Sequence, residues 1–291
     1  MQTVAILGLG LMGGALGLAL KARGGVTVTG YARREATRVE ALRLKVVDAV
    51  FADPVEAVRG ADLAVLCVPV CSMQALAAAC RGGLKPDCLV TDVGSTKALL
   101  TEQIRLSLRG SAALFVGSHP IAGSEQQGLE AARADLYADA VTIVTRDGSE
   151  TSEAVETICA FWRGVGSVVR VMAPAEHDRI MARTSHLPHV VAALVAATVG
   201  RDDAAAEVGA FCGPGFRDVT RVAEGSPEVW LDILQSNRPA VVEELKAFQA
   251  RLGAVLAALE GHEAAPLRRF LEESRAARRA LRSHNHVRGE V

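Results

Sequence analysis

An apolar run over Thr3–Leu9 passes straight into Gly8-Leu9-Gly10-Leu11-Met12-Gly13, and a helical pattern starts at once behind it. The spacing G-x-G-x-x-G is common by itself. Between a strand and a helix it is restrictive, because each glycine then answers a separate steric demand. Gly8 permits the tight turn, Gly10 lets backbone approach a pyrophosphate, and Gly13 lets the helix pack closely on the strand. The helix N-terminus offers N–H groups and the positive end of its dipole to phosphate. A dinucleotide-binding βαβ unit is therefore predicted, with Leu11 and Met12 as part of its loop.

From residue 3 to about 172 short apolar runs alternate with amphipathic segments. Strands are predicted over Thr3–Leu9, Val26–Ala32, Asp62–Val68, Cys88–Val93, Ala113–Ser118, Val141–Thr145 and Ser167–Val171. Their near-continuous apolarity suits strands covered on both faces, and the segments between them are long enough for crossover helices. Such alternation predicts an α/β fold built on a Rossmann-type, doubly wound parallel sheet. After Val171 the strand signals stop. Pro174 opens a helical pattern to about Val199, broken only by Pro188, and others cover Asp203–Phe211, Phe216–Glu224, Pro227–Leu259 and Ala264–Leu281. The expected division is residues 1–171 as an NAD(P)-binding domain and 172–291 as an all-α domain. Long Ala-rich helices need a surface for their apolar stripes, so the second domain is expected to hold a homodimer together.

Composition bears on partners rather than on chemistry. With 32 basic and 33 acidic side chains the net charge is -1, which gives no electrostatic ground for a nucleic-acid or anionic-membrane partner. Apolar runs are broken by charge, Gly or Pro before about 18 residues, so no membrane-spanning helix is expected. Nothing basic precedes Thr3, so the start does not read as a signal peptide. Six cysteines (67, 71, 80, 88, 159, 212) include no C-x-x-C pair, which predicts reduced, buried thiols in a cytoplasmic protein.

The second predicted strand ends at Ala32. An NAD site usually places an acid there to accept from the ribose hydroxyls. Ala32 cannot accept those bonds, while Arg33 and Arg34 can clamp a 2′-phosphate. NADP is therefore expected ahead of NAD. The opposite cofactor wall is expected at Cys67-Val68-Pro69-Val70, although core packing explains Cys67 and Val68 equally well.

Three further segments hold polar groups that apolar spacing would not have placed. Asp92-Val93-Gly94-Ser95-Thr96-Lys97 ends a strand and starts a helix, so Ser95 reads equally as an N-cap or a site residue. His119, in Gly117-Ser118-His119-Pro120-Ile121-Ala122-Gly123-Ser124-Glu125, is expected at the carboxyl edge of the sheet, where ligands bind in this architecture. Ser185-His186-Leu187-Pro188-His189 brackets a proline with histidines inside a helical pattern. No metal is expected, because no Cys pair or H-E-x-x-H accompanies these histidines.

Together these segments resemble the prephenate/arogenate dehydrogenases of tyrosine biosynthesis. The resemblance also takes in Glu-His-Asp at 176–178 and Gly-Phe-Arg-Asp-Val-Thr-Arg at 215–221, so it spans nearly the whole chain. It implies oxidative decarboxylation of a cyclohexadienol, prephenate or arogenate. Hydride leaves the carbinol carbon for NAD(P)⁺, the ring carboxylate departs as CO₂, and the ring becomes aromatic. It further implies His119 as the base for the hydroxyl proton, with Ser95 orienting the hydroxyl or the imidazole. Arg221 matches the position that holds a substrate carboxylate, and Ser124, Glu125, His186 and His189 match the substrate pocket. The alternative is a β-hydroxyacid dehydrogenase, whose loop is similar. That family uses a Lys on an inter-domain helix, and the stretch from Pro174 to Val199 contains none.

Overall fold

The computed structural model describes residues 1–123, 126, 128–201 and 205–285, with backbone alone at 205–206 and 282–285. Strands β1 (Thr3–Leu7), β2 (Thr27–Tyr31), β3 (Ala49–Phe51), β4 (Leu63–Leu66), β5 (Leu89–Asp92) and β6 (Leu114–Phe115) form one parallel sheet, ordered β3-β2-β1-β4-β5-β6. Helices α1 (Leu11–Arg23), α2 (Glu35–Arg43), α3 (Pro54–Val58), α4 (Val70–Cys80) and α5 (Ala98–Ser107) connect them. Successive β1 side chains serve opposite faces. Val4 and Ile6 join one apolar cluster with α1, whereas Ala5 and Leu7 join another with α3, α4 and α5. The strand order reverses beside β1, so a crevice opens between the carboxyl ends of β1 and β4. Strand β3, only three residues long, carries too little pattern to be read from the sequence.

The predicted strand Ala113–Ser118 is not one strand. Val116 still donates to Val90 of β5, but Gly117 accepts from Thr145, and the chain has changed sheets. A Cβ on Gly117 would lie 2.6 Å from Thr145 Oγ1, so only glycine allows that approach. A second sheet follows, β7 (Ser118–Pro120), β8 (Val141–Thr145) and β9 (Val168–Met172), with β7 antiparallel and β9 parallel to β8. Its crossover is α6 (Ser152–Gly164). The last three predicted strands therefore do not extend the first sheet as a single parallel array.

Beyond β9 come α7 (Pro174–Met181), a π-helical turn Ala182–His186, and α8 (Leu187–Val199). Pro188 does not end the helix. Leu187 donates to Ala182 in the wider π spacing, and the proline ring meets a turn already opened. The resulting helix Pro174–Val199 is long and apolar enough to cross a membrane by length and composition, which the apparent break had concealed. Its buried, hydrogen-bonded His177, Asp178 and His186 mark it as a wall of the site described below.

Helices α9 (Ala205–Gly209), α10 (Pro214–Thr220) and α11 (Pro227–Ser236) follow, with a 3₁₀ turn at Arg221–Glu224. The predicted run Pro227–Leu259 is interrupted at Asn237, because Pro239 in the first turn of a new helix cannot continue the old one. The chain divides into two compact units, Met1–Arg238 and Pro239–Val291, although strands give way to helices much earlier. The second unit is made from α12 (Arg238–Glu260) and α13 (Ala264–Asn285). All six cysteines are free thiols; Cys80, Cys88 and Cys159 are buried as expected, whereas Cys67 and Cys212 are half-buried and Cys71 is exposed.

Candidate active site

A cleft of about 420 Å³ opens at the carboxyl ends of β1, β4 and β5. Its walls include Gly10, Leu11, Met12, Val68, Pro69, Val70 and Ser95. Gly8 has φ +114°, and a Cβ there would strike the Cys67 carbonyl at 2.5 Å. Gly13 is as constrained, since its Cβ would lie 1.9 Å from the Gly8 carbonyl. A Cβ on Gly10 would meet nothing within 4 Å, so glycine there keeps clear a space that the protein itself does not fill. The first turn of α1 has neither a side-chain cap nor an acidic residue, and its N–H groups suit a pyrophosphate. These features fit a dinucleotide.

At the end of β2, Ala32 is buried while Arg33 and Arg34 are exposed. Glu35 begins α2, with Arg34 at its N-cap. A third arginine had no signal in the sequence. Arg38 donates to the carbonyls of Ala32 (2.9 Å) and Arg33 (2.7 Å), and so fixes the turn that carries the other two.

Next to the lining residues Val93, Gly94 and Ser95, and outside the lining itself, a buried polar frame sets the position of His119. Lys97 and Asp92 form an ion pair with no exposed side-chain surface. Asp92 also accepts from the backbone N–H groups of Gly94 (2.8 Å) and Ser118 (3.0 Å). The Ser118 hydroxyl donates to the Asp92 carbonyl at 2.5 Å and accepts from Trp162 Nε1 at 2.9 Å. His119 is thus held in β7 beside the end of β5, inside a short strand of the second sheet rather than beyond a strand of the first.

His119 Nδ1 lies 2.8 Å from His177 Nε2, and His177 Nδ1 lies 2.8 Å from Asp178 Oδ1. A carboxylate only accepts, so His177 carries its proton on Nδ1 and, when neutral, accepts at Nε2. His119 must then donate from Nδ1, which leaves its Nε2 unprotonated. Burial, and next the neighbouring His177 and Lys97, hold the His119 imidazole well below the ordinary histidine range. Burial likewise lowers His177, with Asp178 opposing. Asp178 itself is anchored by the N–H groups of Lys97 (2.7 Å) and Ala98 (2.9 Å) at the start of α5. Its charge occupies the positive end of that helix. That arrangement removes the N-cap reading of Ser95: the cap position is Lys97, without a side-chain cap, and Asp178 serves the first donors.

His186 and His189 are buried on the same helix, and neither is among the residues lining the cleft. The His189 ring stacks on Trp230, with centroids 3.4 Å apart and planes 10° apart, and Trp230 lines the cleft. His186 meets Trp230 edge-on and lies 3.1 Å from Asn237. Arg221 is exposed at the start of the 3₁₀ turn, outside the cleft lining and four residues before Gly225, which is part of that lining. Ser124 and Glu125 lie outside the described residues. Among the described residues no group of three metal-ligating side chains is found. His177, Asp178, Lys97, Trp230 and Asn237 had no assigned role in the sequence reading.

Two family models match the chain: "Prephenate dehydrogenase, nucleotide-binding domain" over residues 16–171 and "Prephenate dehydrogenase, dimerization domain" over residues 173–273. A cyclohexadienyl dehydrogenase from Zymomonas mobilis is 36% identical over 288 residues, covering 98% of both chains. The crystal structure of prephenate dehydrogenase from Aquifex aeolicus with hydroxyphenyl propionate and NAD⁺ is similar at TM-score 0.89 and 29% identity, covering 97% of this chain and 98% of that one. That of Synechocystis arogenate dehydrogenase is similar at TM-score 0.83 and 26% identity, covering 96% and 100%.

Proposed function

The chain belongs to the prephenate dehydrogenase family, and on that premise we propose how its residues carry out the reaction. It is a nicotinamide-dependent prephenate/arogenate dehydrogenase. A bound nicotinamide cofactor supplies the acceptor for hydride. The chain's own task is to take a proton as the carbinol is oxidised and to hold the dianionic substrate in register.

The observation that carries this reading is the Asp178–His177–His119 chain. It makes His119 Nε2 an acceptor at neutral pH, which is what removal of a hydroxyl proton requires. As His119 takes the proton, its Nδ1–H can shift toward His177 and the charge is shared toward Asp178. Ser95, on the cleft wall, orients the substrate hydroxyl. Trp230, with His189 stacked on it and His186 against its edge, forms the floor under the ring, and Ser124 and Glu125 are assigned to the substrate pocket by their match to the family motif. No Lys or Arg is among the described residues lining the cleft, and the nearest motif cation in the chain, Arg221, stands four residues before the lining residue Gly225. Arg221 meets a substrate carboxylate.

The glycine loop and Val68-Pro69-Val70 hold the dinucleotide, and NADP is the preferred form. Exposed Arg33 and Arg34 on a turn pinned by Arg38 support that preference, as does Ala32 where an acid would serve NAD. The helical part makes a homodimer. Leu252, Leu256 and Leu259 support this as one exposed apolar stripe on α12. The test is steady-state dehydrogenation of prephenate and of arogenate with each cofactor. Turnover of one or both substrates is expected, with a lower KM for NADP⁺ than for NAD⁺. Arg33→Ser with Arg34→Ser should remove that preference by roughly tenfold or more. A wild-type preference for NAD⁺ would overturn the cofactor assignment and leave the reaction standing.

A further inference from the structure

Asn237, at the end of α11, touches two groups that belong to different parts of the site. Its Nδ2 lies 2.8 Å from the backbone carbonyl of Asp178 and 3.1 Å from His186 Nδ1. A carbonyl oxygen can only accept, so the Asn237 atom facing it must be the amide nitrogen, and the side chain's orientation is settled. One N–H is used by Asp178. The other points to His186 Nδ1, which must then be unprotonated to accept it. Asn237 is 3% exposed and His186 1%, so bulk water competes for neither bond.

We propose that Asn237 is a positioning residue that fixes His186 as its Nε2–H tautomer, so that the imidazole meets substrate as a donor. Burial holds His186 down at about 4, so the ring is neutral in the working pH range and carries one proton. With Nδ1 occupied as an acceptor, that proton sits on Nε2. His119 and His186 then have opposite polarity. His119 offers an acceptor, for the hydroxyl proton, and His186 offers a donor, for a carboxylate or carbonyl oxygen. Two neutral imidazoles without fixed tautomers would not distinguish those groups. Because Asn237 also holds Asp178, it ties the donor histidine to the same residue that fixes the acceptor one.

The tautomer is independent of the functional reading; only the kinetic consequence rests on His186 meeting substrate. In full-length protein labelled with ¹⁵N-histidine, long-range ¹H–¹⁵N correlation near pH 7.5 should show the Nε2–H form of His186, identified by its loss in His186→Gln. A carboxylate in place of the amide can only accept, so Asn237→Asp should move the proton to Nδ1 and raise substrate KM by roughly tenfold or more. The KM for cofactor should stay unchanged. Asn237→Ala, should the aspartate variant not fold, should mix the tautomers and raise KM less. An Nδ1–H or doubly protonated His186 in the wild type overturns the proposal, as does an unchanged tautomer in the folded variants. If the tautomer is as expected but His186→Gln leaves KM unaltered, the contact with substrate fails and the tautomer assignment stands.

Discussion

Single residues in this protein owe their chemistry to what stands behind them. His119 is a useful base because Asp178 dictates the tautomer of His177, and His177 dictates that of His119. Without that chain the imidazole could present either nitrogen, and molecules with Nε2 protonated would face substrate without an acceptor. Arg221 is the contrasting case, a surface guanidinium whose value lies in charge and fork geometry. Arg221→Ala is expected to raise the substrate KM by roughly tenfold to a hundredfold, with a smaller change in kcat. Steady-state kinetics check this, and an unaltered KM would remove Arg221 from the site. His177 escaped notice in the sequence because its partner His119 is brought from β7, and its other partner, Asp178, is anchored by the start of α5. Nothing within Glu-His-Asp at 176–178 marks its middle residue as part of a relay.

Among the elements, the helix Pro174–Val199 does most to arrange the site. The π turn adds one residue to a helical turn and so rotates everything after it by about 100° relative to a continuous α-helix. His177 precedes the insertion and His186 ends it. Pro188→Ala restores a backbone donor and removes the ring that favours the wide turn. The expected result is a melting temperature equal to or above wild type, with kcat/KM at least tenfold lower because His186 and His189 turn away. A variant equally stable and fully active would show that the π turn does not depend on the proline. The βα loop was legible in the sequence because glycine spacing, strand and helix are all local. The strand change at Gly117 was not, because it depends on a close approach to Thr145, 28 positions away. Pro188 misled for a related reason. A proline is read as a break when only the α spacing is considered, and a π turn tolerates it.

At the scale of the whole molecule the buried histidines make stability depend on pH. His119, His177, His186 and His189 are all held below the ordinary value, with burial as the first cause. The folded chain therefore binds protons less readily than the unfolded one, and stability is lost as pH falls below about 6.5. His186, held at about 4, alone withdraws on the order of 3 kcal/mol once the pH reaches that value. Melting temperature should thus be level above pH 7 and fall steadily between pH 6.5 and 4. His186→Gln should flatten part of that decline. A melting temperature unchanged down to pH 4 would mean that these rings protonate without cost. The central claim is that His119 Nε2 takes the hydroxyl proton. It is tested most directly by the turnover number of His119→Asn with saturating substrate and NADP⁺, alongside the cofactor's binding constant. The expected result is a kcat lower by a factor on the order of 10²–10⁴ with cofactor affinity preserved. Turnover close to wild type would contradict it.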